Sequence, residues 1–183
     1  MNVLTKPSMS VDDFLSWAEG RPGRHELYKG EVYQVSPETA GHVHIKAAVY
    51  VALLDAARAG NLQCEVFADG MTVRIDETTA FEPDALIHCG DKVPRSAVEA
   101  PHPVVVVEVL SPSTRQIDAT VKLAGYFRVP SVAHYLIIDP NETMIVHHAR
   151  GRGGDIITRV VTEGTIALDP PGLEIAVADI YAT

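Results

Sequence analysis

The sequence predicts an α/β (α+β) architecture, a mixed β-sheet flanked by helices and carrying additional hairpins, and three features predict it. Val104 to Val107 form a run that is apolar on both faces, the mark of a central strand covered from both sides. Helix-spaced apolar residues precede and follow that run. Short β-prone segments broken by Gly, Pro and Asn occupy most of the remaining chain. No repeat, low-complexity tract or linker interrupts residues 1–183, so a single domain is expected.

Near the start, Ser10 with Asp13 three residues later has the pattern of a capping box, and Val11, Phe14, Leu15 and Ala18 follow at helical spacing. "RHELYKGEVYQVS" supplies two short strands around Lys29-Gly30, with Leu27, Val32, Tyr33 and Val35 as β-formers. From Pro37 to Ala59, apolar residues at 45, 48, 49, 52, 53 and 56 give a core-facing helix that Gly60 ends. "LQCEVFA", "GMTVRI" and "DALIHC" read as strands, and a polar loop over 90–103 leads into the valine run. After Pro112 the hydroxyls of "STRQIDATVKLAGYFRVP" cap a second long helix, which stops at Pro130 and carries Ile117, Val121, Ala124, Tyr126 and Phe127 on its apolar side. "AHYLIID" and "TMIVHHA" flank Pro140-Asn141 as strands, and the tail from Asp155 alternates short strands with Gly and Pro turns.

Apolar content of 46% beside 21% charged residues describes a globular chain, and no apolar run approaches the roughly 20 residues that span a bilayer. The opening "MNVLTKPSMSVDDFLSW" lacks the basic, apolar and small-residue zones of a signal peptide, so a cytoplasmic location without membrane contact is expected. Cys64 and Cys89 belong to no CxxC pair, and the expectation is two free thiols with neither disulfide nor zinc. The formal charge of −9 counts against a nucleic-acid partner, because such binding needs cations to displace condensed counterions. A DNA partner therefore requires a local stripe, for which Arg74, Lys92, Arg95, Arg115, Lys122 and Arg128 are available.

Two carboxylates stand out by position. Glu108 ends the valine run on the same strand face as Val106 and Leu110, where an acid is costly unless it meets a cation, a metal or several donors. Asp84 follows Pro83 at the mouth of the strand Ala85–Ile87. Acids at the edges of adjacent core strands suit a hard cation, since magnesium takes one or two carboxylates with water and phosphate oxygens. Lys122, on the helix after the valine strand, is the cation that would orient water or offset charge on a phosphodiester. Read alone, Asp84 caps a turn, Glu108 pairs with Arg115 or Lys122, and Asp118 with Lys122 is an ordinary i, i+4 pair.

"PD" at 83–84 some twenty-odd residues before "EVL" at 108–110 resembles the PD-(D/E)XK nuclease superfamily. In order, "HELYKGE", "SPETAGHVHIK", "FEPDALI", "VVVVEVLSPSTRQIDATVKLAGYF" and "YLIIDP" resemble a large bacterial family of predicted restriction endonucleases whose shared domain has no assigned function. The likeness covers roughly residues 11 to 180. It implies a restriction-endonuclease-like core in which Asp84, Glu108 and the carbonyl of Val109 meet a magnesium or manganese ion. The superfamily's lysine stands two residues after the glutamate, where this chain has Leu110; Lys122 matches the place to which the resembled family has moved it. Glu26 matches an additional acid from an early element, and His42 a position where the family often shows histidine, read as a substrate contact. His44 has no such match. His134-Tyr135-Leu136 departs from the family's Glu-Tyr-Trp.

The expected activity is metal-dependent hydrolysis of DNA phosphodiester bonds, with Asp84, Glu108, Lys122 and Glu26 as its residues and a homodimer, by analogy, for cutting two strands. Two alternatives carry the same fold: an interaction module without catalysis, suggested by the acidic surface, and a metal-dependent hydrolase of a small phosphoester.

Overall fold

In the computed structural model, which describes residues 8–111 and 115–182, the capping box forms as its sequence demands. Ser10 Oγ accepts the Asp13 N–H at 3.1 Å, the Asp13 carboxylate reaches back to the Ser10 N–H, and α1 (Val11–Ala18) follows. Strands β1 (His25–Tyr28) and β2 (Glu31–Gln34) make the expected hairpin. Its turn has φ of 51° at Lys29 and 76° at Gly30, the double left-handed geometry that matches strand twist. Helix α2 (Ala40–Ala59) starts three residues later than the sequence suggests, because the Thr39 hydroxyl accepts the His42 N–H and caps it there.

Strands β3 (Cys64–Ala68), β4 (Val73–Asp76), β5 (Thr79–Phe81), β6 (Ala85–Cys89) and β7 (Pro103–Val109) complete the first half. Only β5 has no counterpart among the expected strands, being three residues long and held by pairing with β1 and β4. The second long helix is not uniform. Short α turns α3 (Arg115–Ile117) and α4 (Leu123–Tyr126) flank a π-helical turn at Asp118–Lys122. The hydroxyl caps expected at Ser113 and Thr114 lie outside the described residues. Ile117, expected on the apolar side, is 44% exposed, whereas Asp118 and Lys122 are buried. A wide turn shifts the residues after it around the helix axis, and Ala124, expected on the apolar side, is exposed; Ile117 lies before the turn, and nothing in the turn accounts for its exposure. Strands β8 (His134–Asp139), β9 (Met144–Arg150), β10 (Ile156–Val161), β11 (Thr165–Leu168) and β12 (Leu173–Ala176) and the short helix α5 (Val177–Tyr181) end the chain.

The main sheet has the order β10-β9-β8-β7-β6-β3 and is mixed: β7 and β8 run parallel and its other pairs antiparallel. A second, antiparallel sheet has the order β2-β1-β5-β4, and β11 pairs with β12. Strand β7 is buried at every position. Val105, Val107 and Val109 pack toward α2, β12 and α5, while Val106 and Leu110 pack with Phe81, Tyr126 and Tyr135 on the other face. Each fully buried valine contributes about 1.5–3 kcal/mol, and the alternation delivers Glu108 to the second face, beside the helix that follows.

The cysteines differ from expectation. Cys64 and Cys89 lie opposite each other in the antiparallel β3–β6 pair and form a disulfide, with Cα atoms 4.2 Å apart. A separation of 25 residues concealed the pair; strand register creates it. No helix among the described residues is long and apolar enough to cross a membrane.

Candidate active site at the end of the valine strand

Pro83 admits the chain to β6 without a ladder N–H, and the next residue is fastened twice to β7. The Asp84 N–H donates to the Val107 carbonyl at 3.0 Å, and its Oδ2 accepts the Val109 N–H at 2.7 Å. Arg24 Nη1 and Lys46 Nζ stand 3.3 and 3.4 Å from its other oxygen. Burial works against the charge, but the His42 ring 3.4 Å away, the Val109 N–H and the Lys46 and Arg24 cations hold the Asp84 pKa down at about 2. Asp84 is ionised at any ordinary pH.

Glu108 lies on the same strand pair but turns to the opposite wall. Its Oε1 accepts from Lys122 Nζ at 2.9 Å and from the Tyr126 hydroxyl at 2.6 Å. Lys122 also pairs with Glu26 Oε1 at 2.8 Å and approaches Asp118 Oδ1 at 3.5 Å. Burial pushes the Glu108 pKa well above the usual carboxylate range; Lys122 opposes this, and Asp84, Asp118 and Glu26 reinforce it. Lys122 is shifted upward in spite of burial, because Glu108, Glu26 and Asp118 all favour its charge. The ammonium is thus enclosed by carboxylates.

Asp84, Glu108, Val109, Lys122, Glu26 and His42 all line one cavity of about 380 Å³, so the structure brings the six residues singled out in the sequence to one place. His44 is exposed on α2. His147 and His148 point to opposite faces of β9, one to His134 and the other to Thr158. Of the six cations offered for a basic stripe, Lys92 and Arg95 are exposed and the other four are engaged by acids. Arg74 pairs with Asp12 and Glu99, Arg115 with Asp139 and Arg128 with Asp76, and Lys122 is buried in the site.

Sequence reasoning missed a second network beside Asp84. Arg24 contacts Glu38 at 2.6 Å, Asp69 at 2.9 Å and Glu82 at 3.2 Å, and Lys46 contacts Glu38 at 2.8 Å and Asp69 at 2.7 Å. Glu38, just before the Thr39 cap, and His42 and Lys46 on the buried side of α2 recur every four residues, and that spacing was the available signal. Glu38, Asp69, Glu82 and Asp84 surround Arg24 and Lys46; Glu26, Glu108 and Asp118 surround Lys122. Each group keeps a formal excess of negative charge. Oxygen donors in excess, buried against low-dielectric walls, are a chemical fit to a hard divalent cation.

The fold resembles that of a crystal structure from Anabaena variabilis ATCC 29413 described as a putative nuclease belonging to DUF820, with a TM-score of 0.76 at 16% identity over 95% of this chain and 98% of that one. An uncharacterized protein of Synechocystis sp. is 27% identical over 177 residues, 96% of this chain and 92% of that protein. The profile of the Uma2 family, described as "putative restriction endonuclease", matches residues 11–178, from the first residue of α1 into α5 and across every strand that builds the cavity. The chain belongs to the Uma2 family of restriction-endonuclease-like proteins.

Proposed function

We propose that this chain is a metal-dependent endonuclease that hydrolyses DNA phosphodiester bonds. The observation that carries the reading is the convergence of Asp84, Glu108 and Lys122 on one cavity from two adjacent strands and the helix after them. Asp84, Glu108 and the Val109 carbonyl are the groups that would hold magnesium or manganese, with Glu26 beside them through water or a second ion. A bound cation supplies a Lewis acid for the phosphate and a water of lowered pKa. Lys122 fixes Glu108 and Glu26 through one ammonium group and keeps a positive charge next to the place where a phosphoryl oxygen gains charge. Tyr126 orients Glu108 from behind. A cavity of this volume takes a nucleotide-sized group, so a duplex would rest on its rim and present one phosphate. A homodimer would then offer two such sites to two strands.

Incubation of plasmid DNA with purified protein and magnesium or manganese tests the reading. Nicked or linear product is expected, reduced at least 100-fold in Glu108→Ala and Lys122→Ala. Absence of cleavage of DNA and RNA, or variants as active as the parent, defeats it. The pairing of Arg74, Arg115 and Arg128 with acids favours one rival, a non-catalytic interaction module on the same fold. Calorimetric binding of magnesium or manganese that disappears in Asp84→Ala counts against that rival.

A further inference from the structure

His42 is 5% exposed, sits in the wall of the cavity, and has no hydrogen-bond partner for either ring nitrogen among the described residues. A buried imidazole in this state is costly, since an unmade hydrogen bond leaves the desolvation of the ring uncompensated. The ring is nevertheless aimed. Its Nε2 stands 3.4 Å from Asp84 Oδ2 and 3.8 Å from Glu38 Oε1, close to both oxygens and without hydrogen-bond geometry to either.

Those separations are longer than a strong hydrogen bond and lie between the two donor spacings that a common ion imposes. Around an octahedral ion with bonds of about 2.1 Å, neighbouring donors lie about 3 Å apart and opposite donors about 4.2 Å. One donor atom each from Glu38, His42 and Asp84 lies within 4.8 Å of the others. The donors are also held in place: Glu38 is clamped by Lys46 on both oxygens, at 2.8 and 3.0 Å, and by Arg24 at 2.6 Å, and Asp84 by the Val109 N–H. Four carboxylates around Arg24 and Lys46 leave two formal negative charges, which a divalent ion would cancel.

We infer that His42 is a nitrogen ligand to a divalent transition metal, held together with Asp84 and Glu38, so that the site selects manganese over magnesium. This rests on the reading of Asp84 as a metal ligand and adds a donor and a preference to it. Magnesium is satisfied by oxygen and water, whereas imidazole strengthens binding of the later divalent metals. Asp84 then belongs to both walls of the cavity, toward His42 on one side and toward the strand that carries Glu108 on the other.

Calorimetric titration of the full chain with manganese alone and with magnesium alone is the test, joined to pulsed electron paramagnetic resonance of the manganese-loaded wild type. Manganese is expected to bind at least about tenfold more tightly than magnesium, with ¹⁴N modulation from a directly bound imidazole. His42→Gln is expected to lose the nitrogen signal and most of the preference, with magnesium binding little changed. The spectroscopic arm needs no variant, so misfolding of His42→Gln does not decide the matter. Bound manganese without nitrogen coupling, equal affinities for the two ions, or a His42→Gln titration matching wild type overturns the inference and leaves the endonuclease reading standing. Absence of any cation binding overturns both. If nitrogen coupling is seen while the metal-loaded wild type cuts neither DNA nor RNA, the His42 site stands and the nuclease reading falls.

Discussion

Lys122 Nζ lies 2.9 Å from Glu108 Oε1, and both side chains are buried. The contact joins the end of the central strand to the π turn of the helix after it, and Glu26 closes it from the hairpin sheet at 2.8 Å. The strand, the helix that follows it and the sequence-distant hairpin therefore share one ammonium group. Replacing Lys122 by Met keeps the volume but strands two acids in a dry place, which costs about 3–5 kcal/mol. Urea unfolding of Lys122→Met is expected to show that loss at pH 8. Because Glu108 then has a folded pKa raised above its unfolded value, part of the stability returns as the pH falls toward the ordinary carboxylate range.

Gly125 supports the same helix from below. A Cβ at this position would meet Phe81 Cε2 at 2.8 Å, and Phe81 is itself buried against Tyr126. Gly125→Ala is expected to destabilise by about 1–3 kcal/mol through overpacking, against the roughly 1 kcal/mol gain in helix propensity that the change brings elsewhere. The melting temperature reports the sign. A Gly125→Ala variant more stable than the parent would show that Phe81 moves aside freely.

His134 Nδ1 and His147 Nε2 lie 2.9 Å apart, so one ring donates and the other accepts. Burial first, and then the nearby His134, Arg159 and His148, hold the His147 pKa down to about 4. The unfolded chain takes up this proton at about pH 6.5. The stability that His147 contributes is thus complete above pH 6.5 and is lost as the pH falls from there to about 4, on the order of 2–3 kcal/mol. Denaturant midpoints measured across that interval are expected to fall, and His147→Gln to flatten the slope. The carboxylates held low, Asp84 and Asp139, protonate at lower pH still.

The Cys64–Cys89 disulfide closes a loop of 25 residues that contains β4, β5 and Asp84. Cross-linking a loop of this length stabilises by about 3 kcal/mol, chiefly through the unfolded chain. Non-reduced peptide mapping is expected to find the bridge, and reduction to lower the melting temperature by several degrees. Two alkylatable thiols in the unreduced protein would contradict the pairing.

The sequence by itself determined what local chemistry writes within a few residues: the Ser10 capping box, the Lys29-Gly30 turn, the core face of α2 and the burial of β7 with an acid at its end. It also named Glu108, an acid conspicuous in an apolar strand, Lys122, a cation on the helix directly after that strand, and Asp84, which the family resemblance raised from a turn cap. Tertiary structure alone decided their company. Arg24 meets Asp84 across 60 residues and Cys64 meets Cys89 across 25, contacts created by sheet register rather than by spacing along the chain. The π turn was hidden for the same reason: burial beside Glu108, Glu26 and Tyr135 draws Asp118 and Lys122 inward, and no helical periodicity records the charges waiting on another strand.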